Sequence, residues 1–380
     1  MAIPSYKLAF DGKDADSDIY EHLVRLEIEE DMRKAARILF RLSITLQEDG
    51  EWTYLKDERF SLFNKVTVSI GFGEGNATPM FEGYITHLAP HFDPQEELCY
   101  LEVRGMDPSC LMNLEEKLVP WSDKSHSAIA SEIFGCYNIT PDVESTSAMH
   151  VEDGNVLVQR CTDMRFLMQL AEKNGFDCYV AVDDSGTVKG YFKPYALDVS
   201  PLPPLAVHFE NETNVQFIDI QASGIQQLSA AGWHVNLEDK SVEQVQKTDY
   251  DQELLGKESL IDIVQSKVDA LCQPAEAPAR TYRSDLVYLD SAEAESALQG
   301  LQNRNGWFLR ARAAVNGESY GTAVRTRRLI PVKGVGTRYS GNYFVSSVKH
   351  VIAEGDYVQH IELIRNGWGV TGDEPFEGGM

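Results

Sequence analysis

A β pattern written twice, once before residue 110 and once near the C-terminal end, restricts this chain more than any other feature. The first copy reads Phe81-Glu-Gly-Tyr-Ile-Thr-His-Leu88, then a polar connection, then Tyr100-Leu-Glu-Val-Arg-Gly105. The second reads Tyr339-Ser-Gly-Asn-Tyr-Phe-Val-Ser-Ser-Val348, a turn at Ala353-Glu-Gly-Asp356, then Gln359-His-Ile-Glu-Leu-Ile-Arg-Asn366. Each copy sets an aromatic two residues before a glycine, runs into a strand, turns through polar residues, and closes on a strand with an aliphatic-Glu-aliphatic step. Apolar residues at every second position put one face of a strand in a core. Two readings stand at this point: a duplicated β unit, or two ordinary hairpins alike by chance.

The rest of the first hundred residues is also β-rich. Val66, Val68, Ile70 and Phe72 share a face, as do Cys99, Leu101 and Val103. Gly71, Gly73, Gly75, Asn76 and Pro79 mark a turn between strands, and His91–Glu97 is a polar hairpin connection. From about 106 to 195 the period changes. Ser122 or Ser125 caps a helix that runs to Phe134. A second helix starts at Thr162, whose hydroxyl is suited to accept an early backbone N–H. Phe166, Leu167, Leu170 and Ala171 form its buried stripe, and Gly175 suits a left-handed terminator. A hairpin around Asp183-Asp-Ser-Gly186 completes a small α/β unit, which ends at the stiff connector Ser200-Pro-Leu-Pro-Pro204.

Strand character returns at 206–209 and 215–222. Residues 236–283 read as loop with a short helix. A helix follows from Ser291, with Ala294, Ala297, Leu298 and Leu301 on one side, and the chain is strand-like from Gly306 to Ile364, with glycine turns at 317, 321, 334, 336 and 341. A chain of 380 residues has room for about two to four compact units of this kind.

Charge excludes one class of partner. The formal net charge is -25, and a phosphate backbone needs a basic surface, so nucleic acid is not expected as a partner. The N-terminus has no basic segment followed by an apolar one, and no apolar run approaches the ~20 residues that span a bilayer. Synthesis in the cytoplasm without a signal peptide, and no direct membrane segment, are the expectations. The six cysteines (Cys99, Cys110, Cys136, Cys161, Cys178, Cys272) lack any C-x-x-C pair and read as buried free thiols.

Catalytic signatures do not assemble. Gly71-Phe-Gly-Glu-Gly75 and Gly334-Val-Gly-Thr-Arg-Tyr-Ser-Gly341 run into strands, whereas a phosphate loop needs a helix N-terminus after its glycines. There is no G-x-S-x-G elbow. His87 and His91 flank Pro90 in strand context, and His350 and His360 form a pair across a hairpin without a third ligand. Fifty-nine carboxylates make accidental pairs inevitable, so no dyad is singled out. No catalytic, cofactor-binding or metal-binding residue is assigned, no cofactor is expected, and the chain reads as a non-enzyme. The competing classes are a β-rich hydrolase and a monomeric carbohydrate- or protein-binding module.

Three stretches in order carry a family likeness: Phe81-Glu-Gly-Tyr-Ile with Leu101-Glu-Val-Arg-Gly-Met-Asp107; Gln159 with Thr162 through Phe176; and Gly334, Gly336, Tyr339-Ser-Gly341, Tyr343, His350, Tyr357 and Arg365-Asn366. With these, the chain resembles the phage late control D proteins, baseplate hubs of contractile tails, and the N-terminal hub portion of VgrG, the type VI secretion spike. The resemblance leaves 236–283 uncovered. It implies a mainly β fold with α+β insertions: two tail-tube-like β-barrel domains related by internal duplication, plus a small α/β domain. The implied division is 1–110 for the first barrel, 111–205 for the α/β domain, and 206–235 with 305–370 for the second barrel. Residues 236–304 form an insertion of loop and helix, and 371–380 a tail. The implied role is a homotrimeric ring that adapts a sixfold inner tube to a threefold spike within a virion or contractile injection apparatus. Its partners are a second and third copy of itself, a separate trimeric spike protein, the inner tube protein and other baseplate proteins. In VgrG further domains follow the hub, whereas this sequence ends soon after Trp368, which leads to the expectation of a separate spike polypeptide.

Between Arg304 and Lys349 nine basic residues face one acid, Glu318, while residues 1–32 hold nine acids and three bases. One reading is two solvated faces. The other is a basic assembly interface, with Arg310, Arg312, Arg325, Arg327, Arg328 and Arg338 as candidates, meeting an acidic surface of a neighbour.

Overall fold

Alternation builds the first sheet. The computed structural model describes residues 4–73, 77–146, 149–150, 157–210, 212–236, 239–268, 281–288, 291–353 and 355–372. Pro4–Phe10 (β1), Leu23–Asp31 (β2), Lys34–Ser43 (β3), Lys65–Phe72 (β4), Thr78–His91 (β5) and Tyr100–Met106 (β6) pair antiparallel in the order β2-β3-β6-β5-β4-β1. Leu26 and Ile28, Ile38 and Phe40, Val66, Val68 and Ile70, and Leu101 and Val103 point into one core. Phe10 on β1 meets Phe40 on β3 with ring centroids 5.9 Å apart, although three strands lie between them. The sheet is therefore rolled on itself. Ser17–His22 (α1) closes the gap between its ends: Ile19 is wholly buried in the core, and the Tyr20 hydroxyl accepts the Leu8 N–H. Each fully buried large apolar side chain of this kind contributes about 1.5–3 kcal/mol.

The small α/β unit comprises Glu116–Trp121 (β7), His126–Cys136 (α2), Thr140–Val143 (β8), Leu157–Thr162 (β9), Asp163–Asn174 (α3), Asp177–Val182 (β10) and Val188–Lys193 (β11). β7 pairs with β9, and β8, β11 and β10 form a second sheet. Ser125 caps α2 by accepting the Ala128 N–H, as its sequence suggests. Thr162 differs from expectation: it occupies the cap position of α3, but its hydroxyl donates to Asn113 Oδ1 at 2.8 Å and makes no cap bond. Gly175 ends α3 at φ 68°.

Beyond the proline-rich connector the chain lays down Leu205–Ala206 (β12) and Phe217–Ala222 (β13). It then leaves to build an excursion of Ser229–Val235 (β14), Val242–Lys247 (β15), Leu260–Val268 (α4), Thr281–Tyr288 (β16) and Ser291–Asn305 (α5). It returns for Leu309–Asn316 (β17), Leu329–Lys333 (β18), Gly341–Ala353 (β19) and Asp356–Arg365 (β20). Two expectations change here. Residues 236–283 contain strands β15 and the start of β16, and residues 229–235 pair with them in a separate sheet, β15-β14-β16, rather than with the second β unit. The stretch 274–278, Cys272, Gly75, Asn76, Glu354 and the tail from 373 lie outside the described residues.

The second β unit repeats the first. Its order is β13-β17-β20-β19-β18-β12. Ranked along the chain, both units run 2-3-6-5-4-1. Each carries a bulge at the same place, between Ile85 and His87 of β5 and between Val345 and Ser347 of β19. One contact differs: β1 runs antiparallel to β4, whereas the two-residue β12 runs parallel to β18. The units fuse where Ser347–Ala353 of β19 pairs with Asp31–Arg25 of β2, giving one thirteen-stranded sheet.

Candidate functional site

The seam between the two β units is also where the α/β unit docks. β19 is long enough to serve two partners on one side. Residues 341–344 pair with β18 and 347–353 with β2, while β20 runs along the other side. Alternation in β2 turns Leu26, Ile28 and Glu30 inward, so a carboxylate enters the seam. Burying that charge without partners would be prohibitive. Glu30 accepts from Arg325 Nε at 2.6 Å, from the Thr326 backbone N–H at 2.9 Å and from the Thr326 hydroxyl at 3.1 Å. Arg325 also donates to the carbonyls of Pro79 and Val182, both at 3.0 Å. One guanidinium thus ties β2, β5 and β10 to the second unit.

Arg327 makes the neighbouring clamp. It donates to Asp177 Oδ2 at 2.5 Å and to the Met32 carbonyl at 3.0 Å, and its guanidinium lies 3.5 Å over the Tyr179 ring. Burial is the largest influence and acts to lower its pKa, but the charge and hydrogen bond of Asp177 together with Tyr179 and Tyr195 outweigh it and hold the pKa above the ordinary value. Behind the seam His350 is buried and lies 2.8 Å from the Tyr357 hydroxyl. Burial pushes the imidazole down to about 4, against the opposing pull of Glu30. Tyr357 belongs to β20 yet packs in the first unit's core and stacks on Phe72 at 6.1 Å.

The six candidate arginines do not share one face. Arg325 and Arg327 are mostly enclosed within the chain, with side chains 14% and 13% exposed. Arg328 is half-exposed, 3.3 Å from Asp184. Arg310 and Arg312 point outward from β17, with Arg312 3.4 Å from Glu362. Arg338 is exposed and lies over the Trp368 ring. Arg325, Arg327 and Arg328 meet the chain's own Glu30, Asp177 and Asp184. Glu30 was findable as a charge at an inward position of an alternating strand; Asp177 and Tyr179 carried no such signal. His350 and His360 fall on opposite faces of their hairpin, one buried and one exposed. Among the described residues no group of three or more His, Cys, Asp or Glu is placed to hold a metal ion, and five cysteines are free thiols, four of them buried. No described helix is long and apolar enough to cross a membrane.

Known structures share this fold. The 43 kDa tail protein of prophage MuSo2 from Shewanella oneidensis superimposes with TM-score 0.62 at 14% identity, over 96% of this chain and 98% of that one. A tail protein from Neisseria meningitidis MC58 gives TM-score 0.65 at 11% identity over 96% and 97%. An E. coli component of the type VI secretion system gives 0.54 at 11% over 94% and 76%. The mainly β tail-protein fold, and with it the resemblance seen in the sequence, is borne out at this level. No curated protein matches the sequence. Residues 2–354 match the family described as the Alg8 N-terminal domain, and the chain belongs to that family.

Proposed function

We propose that this protein is a structural hub of a contractile phage tail or related injection machine, a homotrimeric ring that joins a sixfold tube to a threefold spike. The observation that carries this reading is the strand order written twice, with the same bulge in each copy. A ring of three chains then offers six similar units, and a closed assembly must present matching surfaces at each repeat of its partner. The shared fold of the phage-tail and type VI secretion proteins supports the same class of role. The outward arginines, Arg310, Arg312 and Arg338, are the remaining candidates for contact with an acidic tube, spike or baseplate surface. The test is the mass of the purified chain by light scattering together with negative-stain images. Three copies in a ring with a central channel are expected, and an isolated monomer at every concentration would overturn the reading.

A further inference from the structure

Two strand edges are left over by the repeat. In the second unit, Val345 gives its carbonyl to the Arg327 N–H and its N–H to the Arg328 carbonyl, and β19 then binds β2 along Ser347–Ala353. In the first unit, Ile85 gives its carbonyl to the Phe63 N–H and its N–H to the Asn64 carbonyl, but from Thr86 onward no strand among the described residues pairs with that side of β5. The counterpart of β2 is β13. It ends the thirteen-stranded sheet and is bonded to β17 alone.

We propose that residues 87–93 of one chain pair antiparallel with residues 217–223 of a second copy, repeating between chains the seam each chain makes within itself. The register follows from the repeat. Ile28 reaches Ile85 through Ile38 and Gly105, and Ile220 reaches Val345 through Ala311 and Leu363, so Ile28 and Ile220 are equivalent. The bulges make His350 equivalent to Pro90, and His350 lies opposite Ile28. Pro90 therefore falls opposite Ile220, Ala89 opposite Gln221, and His91 opposite Asp219.

The chemistry of the two edges agrees. Leu88, Pro90 and Phe92 would share a face with Ile218, Ile220 and Ala222, leaving His91 and Asp219 together on the other. Of thirteen large apolar side chains exposed among the described residues, five lie on or beside these edges: Phe92 with Leu62 and Phe63 of the preceding loop on one, and Phe217 with Ile225 just past β13 on the other. Unpaired strand edges invite addition of another chain, and large exposed apolar surface marks a site that another molecule covers. Where the internal seam uses Arg325, Arg327 and Glu30, the equivalent positions are Ser61, Phe63 and Ala222. The contact between chains is thus apolar where the contact within the chain is ionic, as suits a lasting subunit interface.

The edges follow from the repeat itself; closure at three copies rests on the hub reading. The full chain carrying Ala89→Cys and Gln221→Cys, with Cys136→Ser and Cys272→Ser, is oxidised and run without reductant. Residues directly opposite in antiparallel strands have Cα atoms about 4.5–5.5 Å apart, within disulfide reach. Covalent dimers and closed trimers are expected from the double variant, and none from either single cysteine or from Thr86→Cys with Gln221→Cys. Phe63→Asn, a residue that tolerates the left-handed backbone there, should weaken association at least about tenfold while leaving the urea midpoint unchanged. A trimer by light scattering that fails to crosslink overturns the edge pairing and leaves the hub reading standing. Crosslinked assemblies of another size keep the pairing and remove the trimer. A monomer throughout removes both.

Discussion

Phe63 and Arg327 hold the same backbone place in the two halves of the chain. Both are left-handed, at φ 66° and 61°, and both donate their N–H to the carbonyl of a bulge residue, Ile85 at 2.8 Å and Val345 at 2.9 Å. Their side chains have opposite fates. Arg327 is locked between Asp177 and Tyr179, whereas the Phe63 ring is half-exposed at 50%.

Removing the Arg327 guanidinium leaves Asp177 buried beside an empty position. Breaking a buried pair from one side costs about 3–5 kcal/mol, whereas exposed pairs contribute about 0–1 kcal/mol. Arg327→Asn, chosen because asparagine tolerates the left-handed backbone, should lower unfolding free energy in urea by an amount in the first range. Arg312→Ala, whose side chain is 77% exposed, should stay in the second. Equal effects from the two variants would show that the clamp carries no stability.

His350 gives the fold a pH dependence of defined sign. Its folded pKa is pushed down to about 4 by burial, below the unfolded value of about 6.5. Between those values the unfolded chain binds the proton more readily, so stability is complete above about pH 6.5 and falls as pH drops toward 4. The difference amounts to about 3 kcal/mol at most. His350→Gln should flatten the urea midpoint between pH 4 and 6.5 relative to the parent. A parallel decline in both proteins would place the effect on other groups.

The β repeat was legible because burial follows alternation: Val66, Val68 and Ile70, or Cys99, Leu101 and Val103, announce an inward face. Its register was not. The motif match aligns Gly83 with Gly341 and Glu102 with Glu362, but the bulges pair Tyr84 with Phe344 and Arg104 with Glu362, each two residues away from that match. A shift of two preserves which face is apolar, so the sequence pattern cannot distinguish the two alignments. Strand β15 was missed for another reason. Val242-Glu-Gln-Val-Gln-Lys247 is almost wholly polar, and only Val245 touches a core, the one made by Ala294 and Ala297 of α5. The basic segment was visible as charge, but Glu30 lies 295 residues from Arg325 and Asp177 lies 150 from Arg327, so the partners appear only in the fold.

Thiol reactivity should single out one described position. Cys99, Cys110, Cys161 and Cys178 are buried, and Cys136 is exposed at the end of α2. Burial also pushes Cys110 up to about 11, away from the reactive thiolate. In a Cys272→Ser background the native protein should present one fast-reacting thiol to a colourimetric disulfide reagent, lost in Cys136→Ser. Two or more fast thiols would mean that the cores open on the timescale of the assay.

Gly300 tests how the excursion is held to the α/β unit. A Cβ at 300 would fall 2.3 Å from the Cα of Gly175, the left-handed residue that ends α3. The two helices therefore approach backbone to backbone, flanked by the Lys173–Glu293 pair at 2.7 Å and the Arg304–Glu172 pair at 3.5 Å. Alanine in a helix interior is intrinsically favoured over glycine by about 1 kcal/mol. Overpacking against rigid backbone costs about 1–3 kcal/mol, and the clash is with main chain rather than a movable side chain, so the loss should win. Gly300→Ala is expected to reduce stability and to speed amide exchange across Ala294–Leu298 while leaving exchange in β2 and β19 unchanged. A variant as stable as the parent would mean that α5 docks on α3 with slack the close approach denies.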